Sequence, residues 1–461
     1  MLVSVLGTGY LGATHAACLA DWGHEVVGVD SDEEKVRCLA GGTAPFHEPG
    51  LDALLREGVD SGRLRFSTRL SDAAAADVHF LCVGTPQLPG SDAADLTALW
   101  SLVRSLAPLL ETPCTVVGKS TVPVGTAARL RDWLQRQAPA GAGVELAWNP
   151  EFLREGHAVE DTLRPDRLVL GLPDGPTAGQ VSAVLGELFG ALVAAGVPVV
   201  HTDLATAELA KASANVMLAA RISLVNLLAE VCERGSADIA DLSEILRLDR
   251  RIGPLPTPGL GYGGGCLPKD SRAFAARAAE LGLEQSTGLL REIDATNQRQ
   301  RSRTVALADA LLDGLDGAGG ARVAVLGAAF KGGSDDLRDS PALDVALRLQ
   351  AAGAQLRVHD PRALDNVRRQ HPSLPVADSV EEAVRDADLV LVLTEWPEYA
   401  ALDPAWLAGL VRRPQVLDAR LMLDPEKWRA AGWDFHALGR GDAETAPLDD
   451  ASVAADGRVS A

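Results

Sequence analysis

"LVSVLGTGYLG" (residues 2–12) is an apolar, strand-like run that breaks abruptly into glycines, and its reading decides the fold. Gly7, Gly9 and Gly12 stand in G-x-G-x-x-G spacing, which alone is a weak signal. Here the spacing follows a strand and opens the helix-like stretch "ATHAACLADWG". The next strand, "HEVVGVD" (24–30), ends in Asp30, eighteen positions past Gly12. In that context the turn reads as a dinucleotide site. The glycines allow a tight bend and close approach of a pyrophosphate to a helix N-terminus. A carboxylate at Asp30 accepts from both ribose hydroxyls and repels a 2′-phosphate, so NAD is expected rather than NADP.

Outward from this turn, "DVHFLCVG" (77–84) and "TPCTVVGKS" (112–120) read as further buried strands between helical stretches. Such alternation predicts a parallel, doubly wound sheet. The C-terminal third repeats the theme. "ARVAVLG" (321–327) parallels the opening strand, and "AQLRVHD" ends in Asp360 as "HEVVGVD" ends in Asp30. "DADLVLVLTEW" (386–396) and "PQVLDAR" (414–420) parallel the next two strands. The second half lacks the glycine-rich turn, so a different nucleotide, or none, is expected there. Between the halves, residues 203–235 hold apolar residues at helical spacing and no proline. At ~1.5 Å per residue such a helix spans roughly 45 Å. It has apolar residues on more than one face, which calls for a partner, and a dimerisation role is expected.

The 461 residues are too many for one ordinary core and suggest two or three domains. The divisions read here are 1–202 for the dinucleotide, 203–300 for the central helix and helical dimerisation region, 301–440 for the second sheet, and 441–461, a small-residue acidic tail expected to be disordered. A formal charge of −20 argues against nucleic acid or an anionic membrane as partner. No apolar run reaches ~18–20 residues free of charge, and no membrane span is expected. The N-terminus has no basic region of signal-peptide type. Six scattered cysteines form neither a disulfide framework nor a zinc motif and are read as free thiols in a reducing cytoplasm.

The chemistry is carried by the middle. "GKSTVPVGT" (118–126) puts small hydroxyls after a strand, where a nicotinamide would lie. "NPEFLREG" (149–156) holds Glu151 and Glu155 four apart, on one face if helical, and "AKASANVML" (210–218) does the same for Lys211 and Asn215. A Lys and an Asn on an apolar helix are costly unless each faces a partner. "TPGLGYGGGCLPKD" (257–270) ends a run of glycines on Cys266, with Lys269 and Asp270 behind it. Glycines there permit a close approach, expected to be to a ligand. The residues alone leave Cys266 as nucleophile, metal ligand or structural thiol.

In this order the motifs resemble the nucleotide-sugar 6-dehydrogenases, the UDP-glucose/GDP-mannose dehydrogenase family, from residue 1 to about 430. The resemblance also takes in "RIG", "AFKGGSDDLRDSP" and "DAR". It implies an α/β fold with two Rossmann-like doubly wound domains joined by a long central helix and a helical dimerisation domain. It implies a double oxidation of a sugar C6 alcohol to a carboxylate with NAD as cofactor and no metal. UDP-glucose is the leading substrate; GDP-mannose or a UDP-N-acetylhexosamine is the alternative. Cys266 would add to the intermediate aldehyde, giving a thiohemiacetal and then a thioester. Lys211, with an ordered water, would take the first hydroxyl proton, and Glu151 or Asp270 would activate the hydrolytic water. Lys211 and Asn215 would stabilise the oxyanion, and Lys211 would help lower the thiol pKa. Thr121 is counted with the catalytic residues and, with Tyr10, Leu11, Lys35, Thr85, Glu155 and Arg338, with the cofactor contacts. Phe152, Leu153, Tyr262, Gly263, Lys331 and Arg420 would contact the UDP-sugar. Arg251 would reach the neighbouring site of a homodimer or higher homo-oligomer. The chain departs from the family pattern at Gly265 and Leu267, at a proline-rich "RIGPLPTPGLG", and at Ala419.

Overall fold

The structure, a computed structural model, describes residues 1–312 and 320–440. The acidic tail lies outside the described residues. The first sheet has eight strands: β1 (Leu2–Leu6), β2 (Glu25–Val29), β3 (Leu64–Ser67), β4 (Val78–Leu81), β5 (Cys114–Gly118), β6 (Val144–Trp148), β7 (Leu168–Leu172) and β8 (Val199–Asp203). Their order is β3-β2-β1-β4-β5-β6-β7-β8, parallel throughout except at the β6–β7 contact. The run β3-β2-β1-β4-β5-β6 is the doubly wound order, and the strand order reverses between β1 and β4, where ligands of such sheets bind. Strands such as β4 are buried along their whole length because helices cover both faces, which is why they read as unbroken apolar runs.

The second sheet repeats the topology: β9 (Arg322–Leu326), β10 (Gln355–His359), β11 (Leu389–Val392), β12 (Gln415–Asp418) and β13 (Asp434–Ala437), ordered β10-β9-β11-β12-β13 and all parallel. Its switch point lies between β9 and β11, which brings the loops at 327–333 and 393–395 together.

The predicted long helix forms over Leu204–Arg234, with the Asp203 carboxylate accepting from Thr206 N at 2.8 Å as its cap. Ala207, Lys211, Asn215, Ala219 and Ser223 recur every fourth residue on its buried face. By length and composition this helix is apolar enough to cross a membrane. Helices Leu267–Glu280 and Gly288–Leu312 pack on it, and Glu208, Lys211, Asn215 and Asn226 are buried along it. Helix Gly288–Leu312 carries on past the expected limit at 300, since no glycine or proline interrupts residues 289–312.

One expectation on local structure changes. Residues 149–156 form a loop rather than a helix, so Glu151 and Glu155 share no helical face. Gly156 stands at φ +81, and a Cβ there would lie 2.6 Å from the Gly333 carbonyl, so the loop is pressed against the second half of the chain. The glycines before Cys266 are required by close protein neighbours. A Cβ on Gly263 would come within 2.2 Å of the Asp339 carbonyl oxygen, on Gly264 within 2.7 Å of the Phe330 ring, and on Gly265 within 2.3 Å of the Arg338 guanidinium.

At the first turn, a Cβ on Gly12 would lie 1.9 Å from the Gly7 carbonyl oxygen, against rigid backbone. Gly12→Ala should therefore lower stability by about 1–3 kcal/mol. A denaturant midpoint equal to that of the unchanged chain would show that the turn can yield.

Candidate active site

The dinucleotide end is built from the β1 turn and the end of β2. Gly7 takes φ +90, and Gly9 has no atom within 4 Å of its Cβ position, so a ligand backbone can approach there. Asp30 Oδ2 accepts from Thr8 N at 2.8 Å and from Lys35 Nζ at 2.9 Å. Burial pushes the Asp30 carboxyl up, but Lys35 and the Thr8 and Asp32 amides outweigh it and hold it below the usual range. Asp30 is thus an anion placed to meet ribose hydroxyls. Lys35 reaches the cofactor end through Asp30. Thr85 Oγ1 donates to the Thr121 carbonyl at 2.6 Å, joining the loops after β4 and β5 at the switch point. Tyr10, at the start of the first helix, bonds to Glu48, and Gly156 N donates to its hydroxyl at 2.6 Å, so the cofactor turn is tied to the 149–156 loop. These residues fit NAD.

The reaction end is assembled from four separate pieces. Lys211, on the central helix, pairs with Glu151 from the loop after β6 at 2.8 Å, and both side chains are nearly buried. Asn215, one turn on, donates to Asp270 Oδ2 at 2.6 Å, and Asp270 also pairs with Lys269. Cys266 is the N-cap of helix Leu267–Glu280, so Asp270 follows it by one helical turn, with Asp270 N donating to the Cys266 carbonyl at 3.0 Å. The central helix, the 149–156 loop and the cysteine loop therefore converge. Phe152 lies under the Arg167 guanidinium at 3.9 Å, and Leu153 N donates to Glu151 Oε2 at 2.7 Å, which fixes the carboxylate from its own loop.

The electrostatics settle the resting charges. Burial pushes Glu151 up and Lys211 down, but each outweighs that in the other, so the pair stays ionic. Lys211 does draw the Cys266 thiol down, as expected. Burial, followed by the carboxylates of Glu151, Asp270 and Glu155, wins, and the thiol is pushed up to about 12. Cys266 therefore rests as a neutral thiol: Lys211 lowers its pKa as expected, but burial outweighs that contribution. Glu155 pairs with Arg338 at 3.1 Å; burial and then Asp336 push its carboxyl up to about 7.

The cysteine loop is clamped from behind. Asn297 Oδ1 accepts from Tyr262 N at 2.7 Å, Asn297 Nδ2 donates to the Tyr262 carbonyl at 2.9 Å, and Arg301 Nη2 reaches the same carbonyl at 3.2 Å. On the second half, Lys331 lies beside Phe330 next to the β9–β11 switch, and Arg420 donates to the carbonyls of Leu393 at 2.8 Å and Phe330 at 3.1 Å. Arg420 thus braces that switch point. Arg251 is not at this site: its side chain is 89% exposed and pairs with Asp249.

Sequence reasoning missed four buried polar residues. Glu208 accepts from Gly125 N and Ala127 N and is pushed up to about 7 by burial. Glu48 accepts from Gly156 N at 2.8 Å and Ala158 N at 2.7 Å. Lys119 donates to Asn149 at 2.8 Å, and both line a cavity of about 750 Å³ with Glu151, Lys211 and Asn215. Glu208, on the same apolar helix as Lys211, carried the same signal of a charge out of place.

A dinucleotide sheet, a second sheet of like topology and polar residues converging on a cysteine between them define an NAD-dependent dehydrogenase. Residues 1–193 match the NAD binding domain of the UDP-glucose/GDP-mannose dehydrogenase family, residues 205–299 its central domain and residues 324–425 its UDP binding domain. The UDP-glucose 6-dehydrogenase of Rhizobium meliloti is 38% identical over 96% of this chain and 100% of its own. AglM of Haloferax volcanii, a UDP-glucose 6-dehydrogenase, is 40% identical over 95% of this chain and 100% of its own. Of solved structures, a UDP-glucose dehydrogenase from Pyrobaculum islandicum superposes with a TM-score of 0.86 at 34% identity, covering 95% of this chain and 98% of that one. A UDP-D-ManNAc dehydrogenase from Pyrococcus horikoshii gives 0.84 at 27%, covering 96% and 100%. The chain belongs to the UDP-glucose/GDP-mannose dehydrogenase family. Its cofactor is NAD, and its second sheet is a UDP-binding domain.

Asp30→Asn should raise the NADP-to-NAD ratio of kcat/KM by about tenfold, the worth of one close like-charge repulsion near a surface. An unchanged ratio would remove Asp30 from the ribose. The charges around Cys266 can be read by alkylation at fixed pH, followed on the Cys266 peptide by mass spectrometry. Glu151→Gln removes a negative neighbour and should speed the reaction several-fold, whereas Lys211→Met removes the positive one and should slow it.

Proposed function

We propose that the chain oxidises the C6 alcohol of UDP-glucose to the carboxylate of UDP-glucuronate in two NAD-dependent steps through a covalent thioester on Cys266. The observation that carries this reading is the meeting of Lys211, Glu151, Asn215 and Asp270 around Cys266 at the junction of the NAD-binding and UDP-binding halves. Relatives named UDP-glucose 6-dehydrogenase over nearly the whole chain favour UDP-glucose.

Bound NAD supplies the acceptor for each hydride. A water beside the Glu151 carboxylate takes the C6 hydroxyl proton as the aldehyde forms, while the Lys211 ammonium stabilises the developing alkoxide. The Cys266 sulfur then bonds to the aldehyde carbon, and the thiol proton passes to the new oxygen, giving a thiohemiacetal. Because the thiol rests neutral, its proton must leave as the bond forms, and the neighbouring carboxylates are in place to relay it to that oxygen. Loss of the second hydride, with the hydroxyl proton again going to the base, gives the thioester. Glu151 takes a proton from the attacking water, the carbon–sulfur bond breaks, and the sulfur regains a proton. Lys211 and Asn215 face the oxygen on which negative charge develops. Thr121 and Thr85 sit where the nicotinamide half would lie, with Glu155 and Arg338 beside it. Phe152, Leu153, Tyr262, Gly263, Lys331 and Arg420 take the sugar nucleotide.

The division into 1–202, 203–300 and 301–440 serves this reading, with the last helix carrying the middle part on to Leu312. Met217, Leu224 and Val231, spaced by seven, are 63%, 56% and 60% exposed on the central helix, and Ile245, Leu248 and Ile252 lie exposed near Arg251. A second copy of the chain covering these apolar residues would receive Arg251 at its site. Six free cysteines support a reducing, cytoplasmic setting.

The test is the NADH formed per mole of limiting UDP-glucose. Two are expected, with no acid from Cys266→Ala. One NADH, or acid at the normal rate from the variant, would overturn the covalent route. Activity only on GDP-mannose or a UDP-N-acetylhexosamine would overturn the substrate.

A further inference from the structure

Lys119 follows β5 and is 8% exposed, so its ammonium is held inside the protein. Its only hydrogen-bond acceptor among the described residues is Asn149 Oδ1 at 2.8 Å, and Asn149 is itself anchored by donating to the Val169 carbonyl at 2.9 Å. No ion-pair partner lies against Lys119 among the described residues. An ammonium so buried with one amide partner is costly, and nothing in the packing of β5 requires it.

The groups that face it identify its electrostatic counterpart. From the first helix come His15 and Cys18. His15 is held neutral by burial and by Lys119, and its two ring nitrogens have no hydrogen-bond partner. Cys18 is a thiol pushed up to about 12, chiefly by burial. From the end of β4 comes Cys82, likewise pushed up to about 12 by burial. From the central helix comes Lys211, a second cation, and from the 149–156 loop comes Glu151. Lys119, Lys211 and Glu151 thus form a group of two ammoniums and one carboxylate; burial draws Lys119 below the usual lysine range, and Glu151 opposes that shift. All three line the same cavity.

We propose that Lys119 is a positioning residue for the acid-forming half of the reaction: held by Asn149, it keeps Glu151 ionised while Lys211 turns from Glu151 to the oxygen of the substrate. This rests on the reading of Glu151 as the base of hydrolysis. If Lys211 were the sole cation, its engagement with the developing oxyanion would leave Glu151 buried without compensation. The carboxylate would then take up a proton when it must accept one from water. A second, stationary ammonium removes that conflict. Removing it disfavours the ionised carboxylate, so the acid limb of kcat moves to higher pH.

The experiment measures the pH dependence of kcat and the NADH formed per UDP-glucose for the unchanged enzyme, Lys119→Met and Lys119→Gln. Both variants should move the acid limb up by about one pH unit, with KM for NAD unchanged. Gln keeps a donor for Asn149 without the charge. A normal profile in Lys119→Gln would assign the effect to the hydrogen bond alone and overturn the proposal, as would an unmoved limb in Lys119→Met. If neither variant folds, the unchanged enzyme still decides: its acid limb is expected near or below the ordinary glutamate value of about 4.3, and a limb at or above roughly pH 6 overturns the proposal. Fewer than two NADH per sugar from the unchanged enzyme would instead sink the double oxidation itself, so the two failures are distinguishable.

Discussion

The ion pair between Lys211 and Glu151 joins parts of the chain that no sheet ladder connects. One partner belongs to a helix of 31 residues, the other to a loop leaving the first sheet. Removing either partner of a buried pair strands the other charge, at a cost of about 3–5 kcal/mol. The loop is therefore tied to the helix by electrostatics, to the cofactor turn through Tyr10, and to the second half through the close passage of Gly156 and Gly333. The charge state of Cys266 depends on the same pair: one partner draws the thiol down and the other drives it up.

The second constraint is steric. The cysteine loop threads between the helix that carries Asn297 and Arg301 and the strip from Phe330 to Pro341. There is no room for side chains at three successive glycines, and Gly261, at φ +107 against Asn297, adds a fourth position of the same kind. A loop held this tightly sets where Cys266 stands relative to both sheets. Gly265, a departure from the family pattern, faces the Arg338 guanidinium, so that arginine occupies space a longer residue would contest.

Most of the fold was legible because the sheets are mainly parallel and buried. Strands such as "VHFL" and "LVLV" then appear as solid apolar runs, and the Gly7–Gly12 turn supplies direction and register. Short strands with one exposed face or few apolar residues, such as β3 and β8, left no comparable trace. Lys211, Asn215 and Cys266 stood out because each breaks its local pattern. The loop at 149–156 misled, since spacing by four is as compatible with a loop as with a helix. The packing of residues 330–341 against the glycines could not be read in advance, because the sequence does not reveal which distant segments come to lie together. The thiol's high pKa was out of reach for the same reason: burial is a property of the assembled site.

The two sheets share one topology and each ends its second strand near an aspartate, yet the two carboxylates live differently. Asp30 meets Thr8, Asp32 and Lys35 at the rim of the turn. Asp360 is 1% exposed. It receives the amides of Ala328, Ala329, Arg362 and Ala363 and the indole N–H of Trp396, so its oxygens are walled in by the protein's own donors. A repeated architecture has thus been partitioned between two ligands by plugging one copy. An engineer wishing to convert the second sheet into a dinucleotide cradle would gain nothing by adding glycines until Trp396 had been evicted and that carboxylate given somewhere to look.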